Sequence, residues 1–368
     1  RPPSYLYIWC VMSFFSSTWI NGASMPQVVL RAGDIPPPLD ERYFTQLDGQ
    51  SKFFRREAAW ACVDPVVEIT FLGNTVPTTY FLFDGVDATD RAFLYANANN
   101  GLLNTNAATI ELNSAVVSNA AVAAVVGKLN KVIVTFSGSY RLQTLGARFS
   151  QDSLFAPTII SSIKLIDPAD TANTFNYPMG KNLPYELPDG NATGPELFDF
   201  LNMGTAADNT VTQINGGFIF SGAPNTGQNG ERCYLNVVTE VGKSYAVSLE
   251  LLGQQVTGSI FSRAAPNGAG AVLATSGFGD GFFSFTATST ASSILFDGNT
   301  TVENYSFDVS VRELPSSAFI FENGSIDGSD RLLVTEKQDG SGFVGETGIE
   351  YDYATGAAPV DSYGTEYS

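Results

Sequence analysis

Short segments with strict two-residue alternation run through most of this chain and constrain its fold more than any other feature. In YSFDVSVREL, which begins at Tyr305, the apolar side chains of Phe307, Val309 and Val311 alternate with polar ones. Successive residues of a β-strand point to opposite faces of the sheet, so this pattern predicts a strand with one buried face. Asp308 is then expected on the outer face.

Similar segments recur along the chain, separated by Asp-Gly, Asn-Gly and Ser-Gly turns. Charged residues make up only 15% and glycines number 35, a composition that favours many short strands joined by turns. A chain of 368 residues also exceeds the roughly 250 residues at which single cores stop growing. We therefore predict an all-β protein with two β-sandwich or jelly-roll domains. The Ala-rich stretch 115–130 fits either a helical turn or a pair of small-residue strands.

Proline-rich and polar stretches suggest where the domains begin and end. They predict an aromatic N-terminal arm and proline linker at 1–39, a first sandwich at 40–167, a linker at 168–195, a second sandwich at 196–314, and an acidic C-terminal arm at 315–368. Both arms are expected to bind neighbouring subunits.

The charge balance argues against nucleic acid as a partner. Lys and Arg number 19 against 37 Asp and Glu, and the resulting net charge of −18 repels phosphate backbones and anionic lipids. The apolar run at residues 5–20 is interrupted by serine and threonine and is shorter than the ~20 residues of a spanning helix. We therefore predict a packed or partner-facing segment there and no membrane span.

Several kinds of catalytic and metal site lack the residues that they need. Histidine is absent, which removes the commonest general base and transition-metal ligand. Glycoside hydrolysis on a sandwich needs paired carboxylates, and the first block offers the lone Glu68. The three cysteines, Cys10, Cys62 and Cys233, are widely spaced and are predicted to be free thiols. The sequence predicts a protein that is not an enzyme.

Three stretches of the first block carry a family resemblance: YFTQLDGQSKFF, KVIVTFSG and LQTLGARFSQDSLFAPTIISSIKLID. Together they resemble the concanavalin A-like, laminin-G-type sandwich that recurs in bacteriophage virion proteins. The turn Leu145–Phe149 and the strand end Lys164–Asp167 match that family's pattern. The resemblance covers about residues 40–167 and implies a sandwich displayed on a virion.

The second block resembles carbohydrate-binding modules of families 4 and 9, through Gly242–Gly253 and the closing strand FDVSVRE. That strand lacks one residue of the usual F-D-x-V-S-V-R-E wording. In those modules an acidic residue of the closing strand helps to hold a structural calcium ion. The resemblance thus implies calcium held by Asp308 with Glu196 or Asp199, since calcium prefers oxygen ligands. Alternatively, Asp308 faces water or pairs with Arg312.

Sugar binding by such sandwiches uses exposed aromatic rings that stack on a pyranose, flanked by amide side chains that bond its hydroxyls. The loop candidates in the second block are Phe278 and Phe282, with Asn225, Gln228 and Asn229. Phe283 and Phe285 alternate as core residues of a strand.

These observations lead to one expected function and two alternatives. We expect a non-enzymatic bacteriophage structural protein on the virion surface, associated with a tail or fibre and contacting host-surface polysaccharide. It would bind other virion proteins and form a homo-oligomer. The alternatives are a capsid decoration protein that coats the shell without binding glycans, and a secreted bacterial glycan-binding adhesin.

Overall fold

The structure is a computed structural model that describes residues 41–74, 78–89, 91–97, 102–117, 122–149, 154–179, 183, 185–205, 209–221, 232–252, 258–277, 279, 281–298, 304–323 and 329–355. The predicted arm at 1–39 lies outside these ranges. Within them the regular structure is β-strand, apart from two 3₁₀ turns at Thr171–Asn173 and Phe200–Asn202. The all-β prediction is confirmed. Among these residues, no helix has the length and apolar character needed to cross a bilayer.

The strands are numbered in chain order. The first fourteen are β1 (Glu41–Gln46), β2 (Phe53–Val63), β3 (Val66–Leu72), β4 (Tyr80–Asp84), β5 (Leu94–Ala96), β6 (Leu102–Thr105), β7 (Thr109–Leu112), β8 (Ala115–Val117), β9 (Val122–Ala123), β10 (Leu129–Thr135), β11 (Ser139–Leu145), β12 (Ile159–Ile166), β13 (Phe175–Tyr177) and β14 (Tyr185–Glu186). The next ten are β15 (Met203–Thr205), β16 (Thr210–Ile214), β17 (Gly217–Ser221), β18 (Arg232–Val238), β19 (Ser244–Leu251), β20 (Gly258–Arg263), β21 (Val272–Gly277), β22 (Gly281–Thr286), β23 (Ala291–Gly298) and β24 (Asn304–Glu313). The last four are β25 (Phe319–Glu322), β26 (Arg331–Glu336), β27 (Gly342–Gly345) and β28 (Glu350–Asp352).

These strands form four sheets, here called A to D. Sheet A has the order β28-β27-β26-β1-β12-β3-β10-β7-β8, with β13 also paired to β12. Sheet B has the order β14-β25-β2-β11-β4-β5-β6-β9. Sheet C is β15-β18-β23-β20-β21, and sheet D is β16-β17-β24-β19-β22. The Ala-rich stretch at 115–130 supplies β8, β9 and the start of β10. Where it is described, it therefore forms strands, as the second of the two predictions had it, and not a helical turn.

Two apolar cores lie between these sheets. Ile69 and Val132 of sheet A share one buried cluster with Phe54 and Leu142 of sheet B, which defines the first sandwich. Sheets C and D enclose a second cluster in the same way. There the rings of Phe218 in sheet D and Phe296 in sheet C meet edge to face, with centroids 4.9 Å apart.

The closing strand β24 occupies the middle of sheet D, between β17 and β19. Phe307, Val309 and Val311 are buried in the second core, whereas Asp308 and Ser310 lie on the outer face. The facing predicted from alternation is confirmed.

The pairing in sheet B corrects two predicted boundaries. β14 and β25 are neighbours, with Tyr185 opposite Ile320, although the whole second sandwich lies between them in the chain. The predicted linker at 168–195 therefore contributes β13 and β14 to the first sandwich. The predicted acidic arm at 315–368 contributes β25 to β28, as far as it is described. The first sandwich is discontinuous in sequence, and the second is inserted between two of its strands.

Ion pairs anchor the acidic C-terminal segment, as far as it is described, to the first sandwich. Asp352 lies 2.8 Å from the ammonium group of Lys128, which precedes β10, and 2.5 Å from that of Lys337. Both hydrogen bonds lower the pKa of Asp352. The backbone N–H of Ala354 also donates to the carbonyl of Leu129 at 2.9 Å, and Tyr353 forms an isolated parallel bridge with Leu129. The hairpin of β27 and β28 therefore folds back against the start of β10.

A buried ion pair joins the two chain segments of the first sandwich. The guanidinium of Arg331 in β26 lies 2.9 Å from a carboxylate oxygen of Glu186 in β14, and both residues are almost fully buried. Arg331 also donates to Thr45 and to the carbonyl of Leu183. Its guanidinium lies over the ring of Phe54, 5.4 Å from the centroid. One side chain thus contacts β1, β2 and β14.

Replacing Arg331 with methionine tests the role of this pair. The change leaves the Glu186 carboxylate buried without its cation, so we expect the free energy of unfolding to fall by about 3–5 kcal/mol. The double variant Arg331→Met, Glu186→Leu should recover much of that loss, because no charge remains buried. Chemical denaturation of both variants measures the difference. A single variant as stable as the wild type would contradict this role.

A small apolar cluster and one carboxylate join the two sandwiches. Ala246 of β19 packs with Leu314, Ala318 and Ile320. The partly buried side chains of Tyr185 and Leu187 also contact this cluster. Beside this cluster, the carboxylate of Glu57 in β2 accepts a 3.2 Å hydrogen bond from the backbone N–H of Ser244. Its other oxygen is buried and has no hydrogen-bond partner.

Burial raises the pKa of Glu57 above its usual 4.5, although the Ser244 N–H and Lys243 oppose that effect. A carboxyl group with a higher pKa in the folded state binds more protons there than in the unfolded chain. It therefore destabilises the fold as the pH rises above about 4.5. Removal of this charge should stabilise the contact at neutral pH.

We expect Glu57→Gln to raise the melting temperature by about 1–2 °C at pH 7, which allows for solvent screening of a half-buried group. The gain should disappear near pH 4, where Glu57 of the wild type is largely protonated. Thermal melts across this pH range provide the measurement. Glu68→Gln, which removes a solvent-facing partner of Lys131, is the control and should show no such trend. A constant difference at all pH values would refute the assignment.

Candidate binding cleft

A cleft of about 250 Å³ lies where the outer face of sheet D meets the segment around β14. It is therefore formed by both sandwiches. The residues that line it include aromatic, hydroxyl and cationic ones: Leu183, Tyr185, Thr193, Ala246, Val247, Ser248, Phe282, Ser310 and Arg312.

The register of sheet D fixes the positions of the polar groups. Ser248 in β19 lies directly opposite Phe282 in β22 on one side and Ser310 in β24 on the other. The three side chains form one row across the outer face, with two hydroxyls next to an aromatic ring. Ala246 and Arg312 are opposite each other in the next row toward the first sandwich.

Glu196 orients the guanidinium of Arg312. The Nε atom of Arg312 lies 3.3 Å from a carboxylate oxygen of Glu196, and Ser310 donates a hydrogen bond to the same oxygen. The backbone N–H groups of Phe198 and Val311 donate to the other oxygen at 2.9 and 2.7 Å. Partial burial acts to raise the pKa of Glu196, but these hydrogen bonds outweigh it and lower the pKa. Glu196 therefore stays ionised at neutral pH and fixes one edge of the guanidinium.

Tyr185 supplies the second aromatic ring of the cleft, from the side of the first sandwich. Burial raises the pKa of its hydroxyl, and the nearby charge of Arg312 partly opposes this shift. The hydroxyl therefore stays protonated at neutral pH and can donate a hydrogen bond.

Two carboxylates occupy the row beyond Ser248 and Ser310. Glu250 in β19 lies directly opposite Asp308 in β24, and Glu250 is exposed. One carboxylate oxygen of Asp308 is buried without a hydrogen-bond partner, against the turn that precedes β17. A Cβ atom at Gly216 would lie 2.9 Å from that oxygen, so only glycine fits this turn, whose φ is +83°.

The calcium ligands predicted on Glu196, Asp199 and Asp308 are not assembled. Glu196 is paired with Arg312, and Asp199 caps the 3₁₀ turn by accepting from the N–H of Leu201 at 3.0 Å. In the described part of the chain, no three His, Cys, Asp or Glu side chains are placed to hold a metal ion. Glu196 does contact the closing strand, but its partner there is the guanidinium of Arg312 rather than a metal ion.

One predicted glycan-binding residue, Phe282, lines the cleft. It is partly exposed, whereas its neighbour Phe283 and the next alternate residue, Phe285, are core residues as predicted. The other predicted positions, Asn225, Gln228, Asn229 and Phe278, lie outside the described residues.

Sequence analysis did not identify Tyr185, Ser248, Ser310 or Arg312 as binding residues. Ser248 and Ser310 were predictable as outward residues of adjacent strands, and their common row follows from strand register. Tyr185 lies in a stretch without periodicity, and no local signal could have placed it opposite sheet D.

The comparisons with known proteins identify no family. No family model matches the chain, and no curated protein matches it. Among solved structures, the chain is similar to an oxalate decarboxylase–formate complex from Lactobacillus farciminis, with 10% identity, a TM-score of 0.12 and coverage of 78% of this chain and 81% of that one. It is also similar to vicilin from Capsicum annuum, with 9% identity, a TM-score of 0.13 and coverage of 81% and 78%. TM-scores this low support no argument about function.

We expect calcium to leave the melting temperature of the protein unchanged, because Glu196 and Asp199 already bond to other groups. Melts in excess calcium and in excess chelator measure this. Asp308→Asn should respond to the two conditions as the wild type does. A calcium-dependent rise that is lost in Asp308→Asn would restore the predicted site.

Proposed function

We propose that the protein is a non-enzymatic structural protein on the surface of a bacteriophage particle, and that it contacts a host-surface glycan through the cleft. One observation supports the proposed glycan binding. The ring of Phe282 lies in one row with the hydroxyls of Ser248 and Ser310, beside an arginine whose orientation is fixed. Sugars bind where an aromatic ring can stack on the pyranose and neighbouring polar groups can bond its hydroxyls.

The size of the cleft suits a small ligand unit. Its volume of about 250 Å³ lies just below the ~300–1,000 Å³ typical of pockets for drug-sized molecules. One sugar ring, or the end of a longer polymer, matches that volume better than an extended chain. The rings of Tyr185 and Phe282, from the two sandwiches, would contact its apolar faces.

The charges of the cleft favour a neutral sugar. Arg312 is already paired with Glu196, so the guanidinium adds hydrogen-bond donors but little net positive charge. Glu250 and Asp308 occupy the next row of the same face and would repel an anionic ligand. Hydroxyl groups of a neutral sugar can bond both the serines and the outer N–H groups of Arg312.

The proposed location on a virion is supported by sequence resemblance and by the architecture of two linked sandwiches. The same architecture suits a capsid decoration protein or a secreted adhesin. Glycan binding distinguishes the protein that we propose from a capsid decoration protein. Electron microscopy of labelled particles separates a virion protein from a secreted one.

We expect the full-length protein to bind at least one neutral host polysaccharide on a glycan array. Phe282→Ala should weaken that binding about tenfold, because it removes the ring that stacks on the sugar. Phe261→Ala, which truncates a partly exposed ring in sheet C, is the matched control and should leave binding unchanged.

Melting temperatures of both variants show whether the fold is retained. Failure of the wild type to bind any host polysaccharide would contradict the proposal and favour the decoration protein. Equal weakening by Phe261→Ala and Phe282→Ala would show that the cleft is not the binding site.

A further inference from the structure

The outer face of sheet B carries a group of aromatic and arginine side chains in the first sandwich. In β4 and β5, Leu82 and Leu94 point into the core, and the alternate residues Phe81, Phe93 and Tyr95 lie on the opposite face. The rings of Phe93 and Tyr95 are stacked, with centroids 5.8 Å apart and an interplanar angle of 27°. Both rings are partly exposed.

Arg91 lies against Phe93, and it shares the ring of a further aromatic residue, Phe149, with Arg148. The guanidinium carbon of Arg91 is 4.6 Å from the ring centroid of Phe93 and 5.2 Å from that of Phe149, which follows β11. The guanidinium of Arg148 is 5.0 Å from the same Phe149 ring. We call Phe81, Phe93, Tyr95, Phe149, Arg91 and Arg148 the arginine–aromatic cluster.

One buried carboxylate holds the cluster in place. Asp84 is fully buried, and its two oxygens accept hydrogen bonds from the N–H groups of Gly85 at 2.8 Å and Phe149 at 3.1 Å. The Nε atom of Arg91 lies 3.5 Å from the first oxygen. Burial raises the pKa of Asp84, and the charges of Arg91 and Arg148 oppose that shift. Backbone and side-chain contacts thus fix Arg91 before any ligand arrives.

The cluster has more positive charge than its described neighbours neutralise. Asp84 supplies one negative charge for two guanidinium groups, and Arg148 forms no hydrogen bond or ion pair with a described residue. The nearby Arg141 does not alter this balance, because it is paired with Asp87 at 2.6 Å. An anion between Arg91 and Arg148 would relieve their repulsion.

We propose that the arginine–aromatic cluster is a second binding site, which takes a carboxylated sugar unit of an acidic polysaccharide. The stacked rings of Phe93 and Tyr95 would contact the apolar face of the pyranose. Arg91 and Arg148 would bind its carboxylate, since planar guanidinium groups match carboxylate geometry.

This site differs from the cleft in both position and charge. The cleft faces Glu250 and Asp308 and suits a neutral sugar, whereas the cluster offers guanidinium groups and suits an anionic one. The inference does not rest on glycan binding at the cleft, and each site can be altered without the other.

The proposal can be tested by calorimetric titration of the full-length protein. The carboxylated ligand is oligogalacturonate, and its neutral counterpart is maltohexaose. We expect the carboxylated oligosaccharide to bind more tightly and its affinity to fall with rising ionic strength. Arg148→Gln should weaken its binding about tenfold, because it removes one charged donor. Arg148 does not hold Asp84 by an ion pair, so this variant should keep the melting temperature of the wild type.

Arg263→Gln is the matched control, because Arg263 lies over Phe261 of the other sandwich at the same 5.0 Å. It should bind oligogalacturonate as the wild type does, and so should Phe282→Ala of the cleft. Equal affinity of the wild type for both oligosaccharides, no binding of either, or unchanged affinity of a folded Arg148→Gln variant would each overturn the proposal.

Discussion

The buried ion pair between Arg331 and Glu186 joins the two chain segments of the first sandwich, between which the second sandwich is inserted. Glu186 belongs to the last strand before the chain enters the second sandwich, and Arg331 follows shortly after the chain returns. A charge buried without its partner is costly, so the pair favours the one arrangement in which both segments belong to the first sandwich. The contacts of Arg331 with Thr45 and Phe54 extend this restriction to β1 and β2.

The cleft is a direct consequence of this insertion. Because β14 and β25 are adjacent in sheet B, the chain leaves and re-enters the first sandwich at one place, and the outer face of sheet D lies beside it. Tyr185 therefore meets Arg312, which lies in the last strand of the second sandwich. Neither sandwich alone contains both residues, so the cleft exists only where the two sandwiches are in contact. The arginine–aromatic cluster, by contrast, is built within the first sandwich and needs no such contact.

Much of the fold could be predicted from the sequence because strand alternation is a local property. The inward Phe307 and Val309 and the outward Asp308 follow from spacing alone. The prediction of a separate C-terminal arm at 315–368 was wrong because β25 and β26 are short and pair with β2 and β1. Those two strands lie at the other end of the described chain. The contacts of the predicted calcium ligands also follow from strand pairing rather than from local sequence. Glu196 does meet the closing strand, but it pairs with Arg312, four residues beyond Asp308.

The sequence by itself determined the class of structure, the alternation of the strands in the second core, and the outward facing of Ser248, Ser310 and Arg312. These properties depend on neighbouring residues and on composition. The tertiary structure alone decided that the first sandwich is discontinuous, that Tyr185 and Phe282 line one cleft, and that Arg91 and Arg148 share the ring of Phe149. Those contacts join residues from separate strands and loops, and their positions follow from sheet order and register, which no local pattern encodes.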